Sequence, residues 1–273
     1  MVSSRPSTII DLQISTIGIT NAEEQKIRQG LVVDGYYGRL PSNAGNLAWS
    51  IYKMLLREKT MKRHKLMMKQ SKLIINAYSN GKDLKDLVRK FDFPPSLIMR
   101  LLLKNYYRVK NDNVIKEILK GDVRLMKKYD IPEADVNFAS EEDVIAGVDQ
   151  TMASTRANDY EEYLAEFLRS HNVKFVTQSE IIDKAKKQGI TPHATPDFLF
   201  ISKVSINGKR IYWMDAKHSY GMNIPIVKSS LEKQMKKYIN LWGQGAIVFS
   251  AGFSNELSIK NVILAAVPFI TGV

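Results

Sequence analysis

The chain has 273 residues and a formal net charge of +12, and it contains no cysteine. The absence of cysteine excludes disulfide bonds and thiolate metal sites. No signal peptide is predicted, and no membrane association is expected, because the longest apolar run, residues 262–270, is too short to span a bilayer.

The positive charge is concentrated in one part of the chain. Residues 46–130 hold 21 Lys and Arg against 8 Asp and Glu, whereas residues 131–150 hold 6 acidic residues and no basic one. A basic cluster of this kind predicts a polyanionic partner, most often nucleic acid, and DNA is the partner we expect. The alternative is a lysine-rich surface that is only solvated.

The predicted elements begin with an N-terminal segment, residues 1–45, which is expected to be partly mobile. Within it, residues 9–19 are compatible with a short strand and residues 23–33 with a helix. From Asn46 onward apolar residues recur at helical spacing. Residues 46–130 are therefore predicted to form a basic, all-α domain.

A helix-turn-helix pattern lies inside this basic domain. Asp83 is a suitable N-cap for a helix that runs to Phe91, and the turn 92–94 separates this helix from one that Pro95 or Ser96 opens. In DNA-bound helix-turn-helix motifs, the first exposed residues of the second helix enter the major groove. A helical bundle with a basic exterior is the alternative. The residues expected to contact nucleic acid are Ser96, Arg100 and Lys104.

The acidic stretch of residues 131–153 is predicted to connect the basic domain to a second domain, residues 154–273. The second domain opens with a helix over residues 154–171, which is followed by a strand, a hairpin, a helix and closing strands. Helices and strands that follow one another in this way predict an α/β domain.

The centre of the second domain is a hairpin that brings acidic residues together. Asp197 lies at the entrance of its first strand and Asp215 near the exit of its second, with the strong turn signal Asn207-Gly208 between the strands. Lys217 shares a sheet face with Asp215, because side chains repeat every second residue. A two-residue turn would place Asp197 on the opposite face. Joint action of the two carboxylates therefore predicts a three-residue turn, with Asp197 facing Lys217.

Two carboxylates beside a lysine are suited to a divalent cation. Mg²⁺ prefers oxygen ligands and is commonly held by one or two carboxylates together with water and phosphate. A lysine next to such a cation can orient an attacking water and neutralise the charge that builds up on a phosphoryl group. The hairpin is therefore predicted to form a Mg²⁺ or Mn²⁺ site.

The residues of this hairpin resemble a known family. Pro196-Asp197, a hairpin and then Asp215-Ala216-Lys217 resemble the signature of the PD-(D/E)xK nucleases, although this family often has glutamate where the chain has Asp215. The string Thr-Pro-Asp-Phe-Leu-Phe from Thr195 resembles the TPD-motif subgroup, and so do residues 95–101 in the helical part. The resemblance implies an α/β, restriction-endonuclease-like domain, with a central mixed sheet flanked by helices, preceded by an all-α domain that contains the helix-turn-helix motif.

The resemblance also implies roles for individual residues. Asp197, Asp215, the backbone carbonyl of Ala216 and a helix glutamate would hold the metal, and Lys217 would position or activate water. By position the helix glutamate is Glu161, with Glu162 as the second choice, because one residue rotates a side chain by about 100° around a helix. The supporting pair, four residues apart on the next helix, is Gln234 and Tyr238.

The function implied by this resemblance is metal-dependent hydrolysis of phosphodiester bonds in DNA, including branched DNA, as in the similar Holliday-junction resolvases. A homodimer is compatible with that similarity. The resemblance also implies a codanin-like partner that handles chromatin or histones, with residence in nucleus and cytoplasm. Two alternatives stay open: a catalytically silent scaffold for such a partner, and a DNA-binding protein that acts through its helix-turn-helix motif alone.

Overall fold

The computed structural model describes residues 9–31, 45–143 and 149–269, except for the side chains of residues 149–153. The elements, in chain order, are β1 (Ile10–Leu12), α1 (Asn21–Gly30), α2 (Asn46–Lys69), α3 (Ser71–Ser79), α4 (Leu84–Phe91), α5 (Pro95–Asn105), α6 (Asp112–Leu119), α7 (Val123–Lys128), α8 (Glu133–Glu141), α9 (Asp149–Ser170), β2 (Phe175–Thr177), α10 (Gln178–Lys187), β3 (Phe198–Ile206), β4 (Lys209–Lys217), α11 (Pro225–Trp242), β5 (Gly245–Phe249) and β6 (Val262–Ala266).

The strands belong to one packing unit, which comprises residues 9–28, 45–51 and 155–269 of the described chain. The sheet has the strand order β1-β3-β4-β5-β6, and β2 also pairs with β3. β3 and β4 are antiparallel, whereas β4, β5 and β6 run parallel to one another. β1 and β2 occupy opposite ends of the same edge of β3. The sheet is therefore mixed, as the family resemblance implies.

Each face of the sheet is covered by a helix. Alternate residues of β4 point to opposite faces, so that Met214 and Ala216 share an apolar core with Tyr160 and Leu164 of α9. Trp213, one residue earlier, packs on the other face. There its neighbours on α11 are Leu231, Met235 and Tyr238. The predicted α/β architecture with a central mixed sheet flanked by helices is confirmed, and its alternation places Asp215 and Lys217 on the α11 face.

The second packing unit is helical and comprises residues 29–31, 52–143 and 149–154 of the described chain. The carboxylate of Asp83 caps α4 by accepting a hydrogen bond from the N–H of Asp86 at 2.7 Å, and the helix ends where Asp92 adopts a left-handed conformation with φ of 48°. Three residues later α5 begins at Pro95. Ile98 and Leu102 of α5 are fully buried, so that this helix lies at the centre of the unit.

Residues 133–141, within the stretch predicted as an acidic connection, form α8 of the helical unit. Val136 and Ala139 are buried, and the Tyr78 hydroxyl of α3 donates a hydrogen bond to the carboxylate of Asp135 at 2.5 Å. Apolar contacts and a partly buried hydrogen bond thus hold α8 against its neighbours. Residues 144–148, in the middle of the predicted connection, lie outside the described residues.

Part of the N-terminal segment is a structural member of the sheet unit. β1 pairs in parallel with residues 204–206 of β3, and α1 follows it. The partial mobility expected for residues 1–45 stays a prediction, and residues 1–8 and 32–44 lie outside the described residues. Within the described ranges, no helix combines the length and apolar character that a bilayer crossing requires.

Candidate active site

The hairpin between β3 and β4 turns in two residues. Ile206 pairs with Lys209, and the loop consists of Asn207 and Gly208 alone, with φ of 48° and 79°. Two successive positive φ angles are typical of the type I′ turn, for which Asn-Gly is a preferred sequence. The predicted three-residue turn is therefore wrong, because the local turn chemistry favours the tighter loop.

An irregularity farther along the hairpin restores the convergence of the two carboxylates. Leu199 pairs with Trp213 and Val204 pairs with Ile211, so that between these two pairs β3 has four residues and β4 has one. The three extra residues are an odd number, and an odd shift exchanges the two faces of a strand. Asp197 consequently lies opposite Asp215, one step beyond the Phe198–Met214 pair, and not opposite Lys217 as the three-residue turn requires.

Asp215 is the most deeply buried group of the site, with 1% of its surface exposed. Its Oδ1 accepts a hydrogen bond from Nε2 of Gln234 at 3.2 Å. Its Oδ2 is in ion-pair contact with Nζ of Lys217 but has no hydrogen bond of good geometry. Burial raises the pKa of Asp215, while the Lys217 ammonium opposes that rise. An oxygen of this kind is available to a further cation.

Asp197 faces Asp215 across the hairpin. Its Oδ2 accepts a hydrogen bond from the backbone N–H of Ala216 at 2.7 Å. Burial, and then the charge of Asp215, raise the pKa of Asp197 to about 8, although the Ala216 hydrogen bond lowers it. The N–H and C=O of one strand residue point to the same neighbouring strand. The Ala216 carbonyl therefore points to the side on which Asp197 lies.

Glu161 of α9 is the third carboxylate near the site. It is partly buried, and its pKa is raised by that burial and by the charge of Asp215, while Lys217 opposes the rise. Glu162, the second choice from the sequence, is exposed and forms an ion pair with Arg169 at 2.7 Å. The structure thus brings Glu161, and not Glu162, into the electrostatic environment of the two aspartates.

The three carboxylates do not form a closed metal-binding group by themselves. Among residues 9–31, 45–143 and 149–269, no three His, Asp or Glu side chains are arranged to hold a metal ion together. Asp197 and Asp215 face each other across the hairpin as a pair of carboxylates. Such a pair suits Mg²⁺, which commonly takes one or two carboxylates and completes its octahedron with carbonyl, water and phosphate oxygens.

The predicted supporting pair, Gln234 and Tyr238 of α11, forms hydrogen bonds with Asp215 and with the backbone of Thr195. Nε2 of Gln234 donates both to Asp215 and to the hydroxyl of Tyr238, the latter at 3.0 Å. The Tyr238 hydroxyl in turn donates to the backbone carbonyl of Thr195 at 3.2 Å. The Tyr238 ring also packs edge-on against Trp213, with 5.1 Å between the ring centres. Tyr238 therefore combines core packing with polar support of the site.

Two residues that contact this site are absent from the predicted set. Gln178 of α10 donates hydrogen bonds to Thr195 and to the backbone of Asp197. Thr195 belongs to the Thr-Pro-Asp string, which is a signal that could have selected it. Gln178 has no such signal, because its relation to the hairpin exists only after α10 has packed.

The predicted nucleic-acid contacts lie in the helical unit and differ in exposure. Ser96 is buried, and both its N–H and its hydroxyl donate to the carboxylate of Asp143, the N–H at 3.0 Å. The expectation that Ser96 is an exposed contact residue is wrong, because this distant carboxylate binds it. Arg100 is partly exposed, and Lys104 is exposed and forms an ion pair with Asp112 at 2.8 Å. Their contacts with nucleic acid stay a prediction.

Comparison with known proteins identifies related sequences. A family model described as "Protein of unknown function TPD sequence-motif" matches residues 130–267, half of the chain. An uncharacterized protein of Acanthamoeba polyphaga mimivirus is 28% identical over 200 residues, which are 71% of this chain and 63% of the relative. CDAN1-interacting nuclease 1 of Danio rerio is 22% identical over 184 residues, 64% of this chain and 58% of the relative. The Homo sapiens protein of the same name is 22% identical over 180 residues, 63% and 60% of the two chains.

The chain spans about three fifths of the length of these curated relatives. No solved structure matches it. The family match includes the hairpin with both aspartates, Lys217, and the helices that carry Glu161 and Gln234.

Proposed function

The chain belongs to the TPD sequence-motif family, and on that premise we propose that it is a divalent-metal-dependent nuclease that hydrolyses phosphodiester bonds in DNA. Its named relatives are nucleases, so the chain is related to a nuclease family. The single observation that carries the proposal is the placement of Asp197 opposite Asp215, with Lys217 in contact with Asp215. The order α9, β2, β3, β4, α11, β5, with α10 inserted between β2 and β3, supports assignment to the restriction-endonuclease-like fold.

The proposed metal ligands are Asp197, Asp215 and the carbonyl oxygen of Ala216. The set is chemically suitable because all three donors are oxygens, and because Oδ2 of Asp215 lacks a hydrogen bond of good geometry. Asp197 and Asp215 face each other, and burial raises the pKa of both carboxyl groups. The charge of Asp215 also repels that of Asp197 and raises the pKa of Asp197 further. A bound Mg²⁺ or Mn²⁺ would relieve this repulsion, act as a Lewis acid on the phosphodiester and lower the pKa of a coordinated water.

Lys217 and Glu161 are the proposed partners of the reacting groups. A water oxygen forms a bond to phosphorus while the ester P–O bond opposite to it breaks, and the leaving oxygen takes a proton from solvent. The Lys217 ammonium orients that water and stabilises the negative charge that develops on the phosphoryl oxygens. Glu161, whose pKa is raised by burial and by Asp215, accepts the proton that the water releases.

The helical unit is proposed to bind the nucleic-acid backbone. Lysine and arginine outnumber acidic residues by 21 to 8 in residues 46–130, and Arg100 and Lys104 of α5 present charge at the surface. Contacts to phosphates bind many sequences with similar affinity and weaken steeply with salt. The short turn between α4 and α5 supports a helix-turn-helix role, in which Arg100 and Lys104, without Ser96, face the DNA.

Cleavage assays on the full chain test the proposal. Labelled single-stranded, duplex and four-way-junction DNA, and a matching RNA, are incubated with Mg²⁺, with Mn²⁺ or with EDTA. We expect metal-dependent cleavage of at least one DNA substrate by the wild type and its loss in Asp215→Asn. The control Asp183→Asn changes an exposed aspartate on α10 and should cleave like the wild type. Equal cleavage by wild type and Asp215→Asn would reject the site.

The second candidate function is a catalytically silent scaffold that binds a codanin-like protein. The observation that favours it is the name of the relatives, which describes them as interacting with CDAN1. Residence in nucleus and cytoplasm belongs to the same proposal. A metal-induced rise in the melting temperature, which Asp197→Ala abolishes, would separate a metal site from a scaffold, because a silent scaffold binds its partner protein without a metal.

A further inference from the structure

The loop that carries Asp197 lies beyond the paired part of the hairpin. The last pairing of β3 with β4 on this side joins Phe198 to Met214, and Pro196 has no N–H to donate. The pairing of β3 with β4 therefore does not fix the backbone of residues 195–197. Hydrogen bonds from other elements decide where the Asp197 carboxylate points.

Gln178 supplies three of these hydrogen bonds. Its Nε2 donates to the carbonyl oxygen of Thr195 at 2.9 Å and to Oγ1 of the same threonine at 3.1 Å. Its backbone N–H donates to the carbonyl oxygen of Asp197 at 3.2 Å. One glutamine thus holds the residues on both sides of Pro196.

Gln178 is itself held at the junction of a strand and a helix. The preceding residue, Thr177, pairs with Phe198 at the start of β3. Thr177 also begins α10 through a capping box, in which its N–H donates to Oε2 of Glu180 at 2.7 Å and its Oγ1 accepts from the Glu180 N–H at 3.3 Å. The backbone that carries Gln178 is therefore fixed from two directions.

The carbonyl oxygen of Thr195 receives donors from two helices. Gln178 reaches it from α10, and the Tyr238 hydroxyl reaches it from α11 at 3.2 Å. The oxygen is thereby clamped in one position, and the adjacent Asp197 carboxylate accepts from the N–H of Ala216. Thr195 has a hydroxyl oxygen at the point where Gln178 offers its remaining amide hydrogen, which gives a physical reason for threonine at this place.

We propose that Gln178 is a positioning residue, which acts through Thr195 to hold Asp197 opposite Asp215. The effect of Gln178 on kcat rests on the proposed nuclease function, whereas the effect of Gln178 on the position of the Asp197 loop does not. Outer hydrogen bonds that orient metal ligands typically contribute about 10–100-fold to metal affinity or activity. Gln178 thus extends the support of the site beyond α11 to α10.

The test compares Gln178→Ala with Gln188→Ala in the full chain. Gln188 ends the same helix, is exposed and does not contact the loop through any hydrogen bond that the structure gives for the described residues. Hydrogen exchange of the Ala216 amide is measured without metal, because that N–H donates to Asp197. Mn²⁺ affinity is measured from the melting temperature, and kcat and KM are measured on the DNA that the wild type cleaves.

We expect Gln178→Ala to accelerate Ala216 exchange and to weaken Mn²⁺ binding about 10–100-fold, with a lower kcat and an unchanged KM. Gln188→Ala should match the wild type in each measurement. Identical Ala216 exchange and identical Mn²⁺ affinity in the two variants would overturn the proposal. If the wild type cleaves nothing, the proposed function fails, and the exchange measurement still decides the role of Gln178.

Thr195 variants keep the proposal testable should Gln178→Ala fail to fold. Thr195→Ser retains the hydroxyl oxygen that accepts from Gln178, while Thr195→Val replaces it with a methyl group of similar size. A wild-type rate of Ala216 amide exchange in Thr195→Ser, together with a faster rate in Thr195→Val, would support the proposed role of Gln178. Equal exchange in both Thr195 variants would contradict it.

Discussion

The acidic end of the sheet and the basic helices carry charge in opposite ways. Asp215 is almost fully buried and contacts Lys217 and Gln234, whereas Lys104 of α5 is exposed and pairs with Asp112, which is also exposed. Burying a charge costs free energy unless partners compensate it, while a surface ion pair contributes little to stability. Under the proposed function, the sheet unit would use charge for chemistry at one point, whereas the helices would use it for binding along a surface.

The largest expected effect is on the chemistry of the sheet unit. Lys217→Ala should lower kcat by about 10²–10³-fold, because it removes an ammonium that stabilises charge in the transition state. Lys203→Ala, which changes an exposed lysine on β3, is the matched control and should keep wild-type kcat. Steady-state cleavage of the preferred DNA measures both. Similar rates for the two variants would show that Lys217 takes no part in the mechanism. The contrast between catalytic charge in the sheet unit and binding charge in the helices would then fail.

The next effect concerns stability of the helical unit. Ser96→Ala removes a hydroxyl that donates to the buried carboxylate of Asp143, and should lower the free energy of unfolding by about 1.5–3 kcal/mol. DNA affinity should not change. Ser79→Ala is the control, because Ser79 is exposed and its hydroxyl donates to the local carbonyl of Asn76. Urea unfolding and DNA titration check the pair, and a loss of affinity without a loss of stability would restore Ser96 as a contact residue.

A third prediction tests whether the Asp197 carboxylate lowers the free energy of unfolding of the metal-free protein. The pKa of Asp197 is raised from 3.8 to about 8 in the folded state, so the folded state holds this proton more tightly than the unfolded state. The resulting destabilisation is absent below about pH 4 and grows as the pH rises towards 8. Asp197→Asn should therefore stabilise the metal-free protein by about 1–3 kcal/mol at pH 8 and by little at pH 4.

Thermal unfolding in EDTA at both pH values measures this difference. Asp183→Asn, on the exposed surface of α10, serves as the control and should follow the wild type. Saturating Mn²⁺ should reverse the order at pH 8, because the wild type gains a ligand that the asparagine variant lacks. If Asp197→Asn stabilised the protein equally at both pH values, ionisation of the Asp197 carboxylate would not be the cause of the destabilisation.

The smallest effect is expected from surface charge on the helices. Replacing Arg100 and Lys104 together by alanine should weaken DNA binding by about tenfold and reduce the slope of log K against log salt by about 1 for each phosphate that is no longer neutralised. The free energy of unfolding should be nearly unchanged. The control replaces Lys184 and Lys186, which are exposed on α10 of the sheet unit. An equal decrease of DNA affinity in the control would show that binding depends on the overall positive charge and not on α5.

Much of the architecture follows from local patterns in the sequence. Asp83 caps α4, the Asn207-Gly208 turn forms, and the helices and strands of residues 154–266 follow in the expected order. Period-two alternation along β4 is enough to put Asp215 and Lys217 on one face. These features depend on residues a few positions apart, and for that reason they could be predicted.

Other features depend on residues that meet only after folding. Ser96 is the second residue of α5 and was expected to be exposed, yet Asp143, 47 positions away, binds and buries it. Gln178 carries no motif, and its role appears only when α10 lies beside the loop of Thr195. Long-range hydrogen bonds of this type have no periodic signature in the chain.

Local sequence was sufficient to identify the groups that perform the proposed chemistry: two aspartates, a lysine and a hairpin between them. How Asp197 reaches Asp215, in contrast, depends on the folded sheet. The turn chemistry of Asn207-Gly208 forces a two-residue loop, which alone would separate the carboxylates, and three extra residues in β3 return them to one face. That irregularity lies between the end of β3 that pairs with β2 and the end that pairs with β1. These partners are distant in the chain, so no short stretch of sequence shows how they pair.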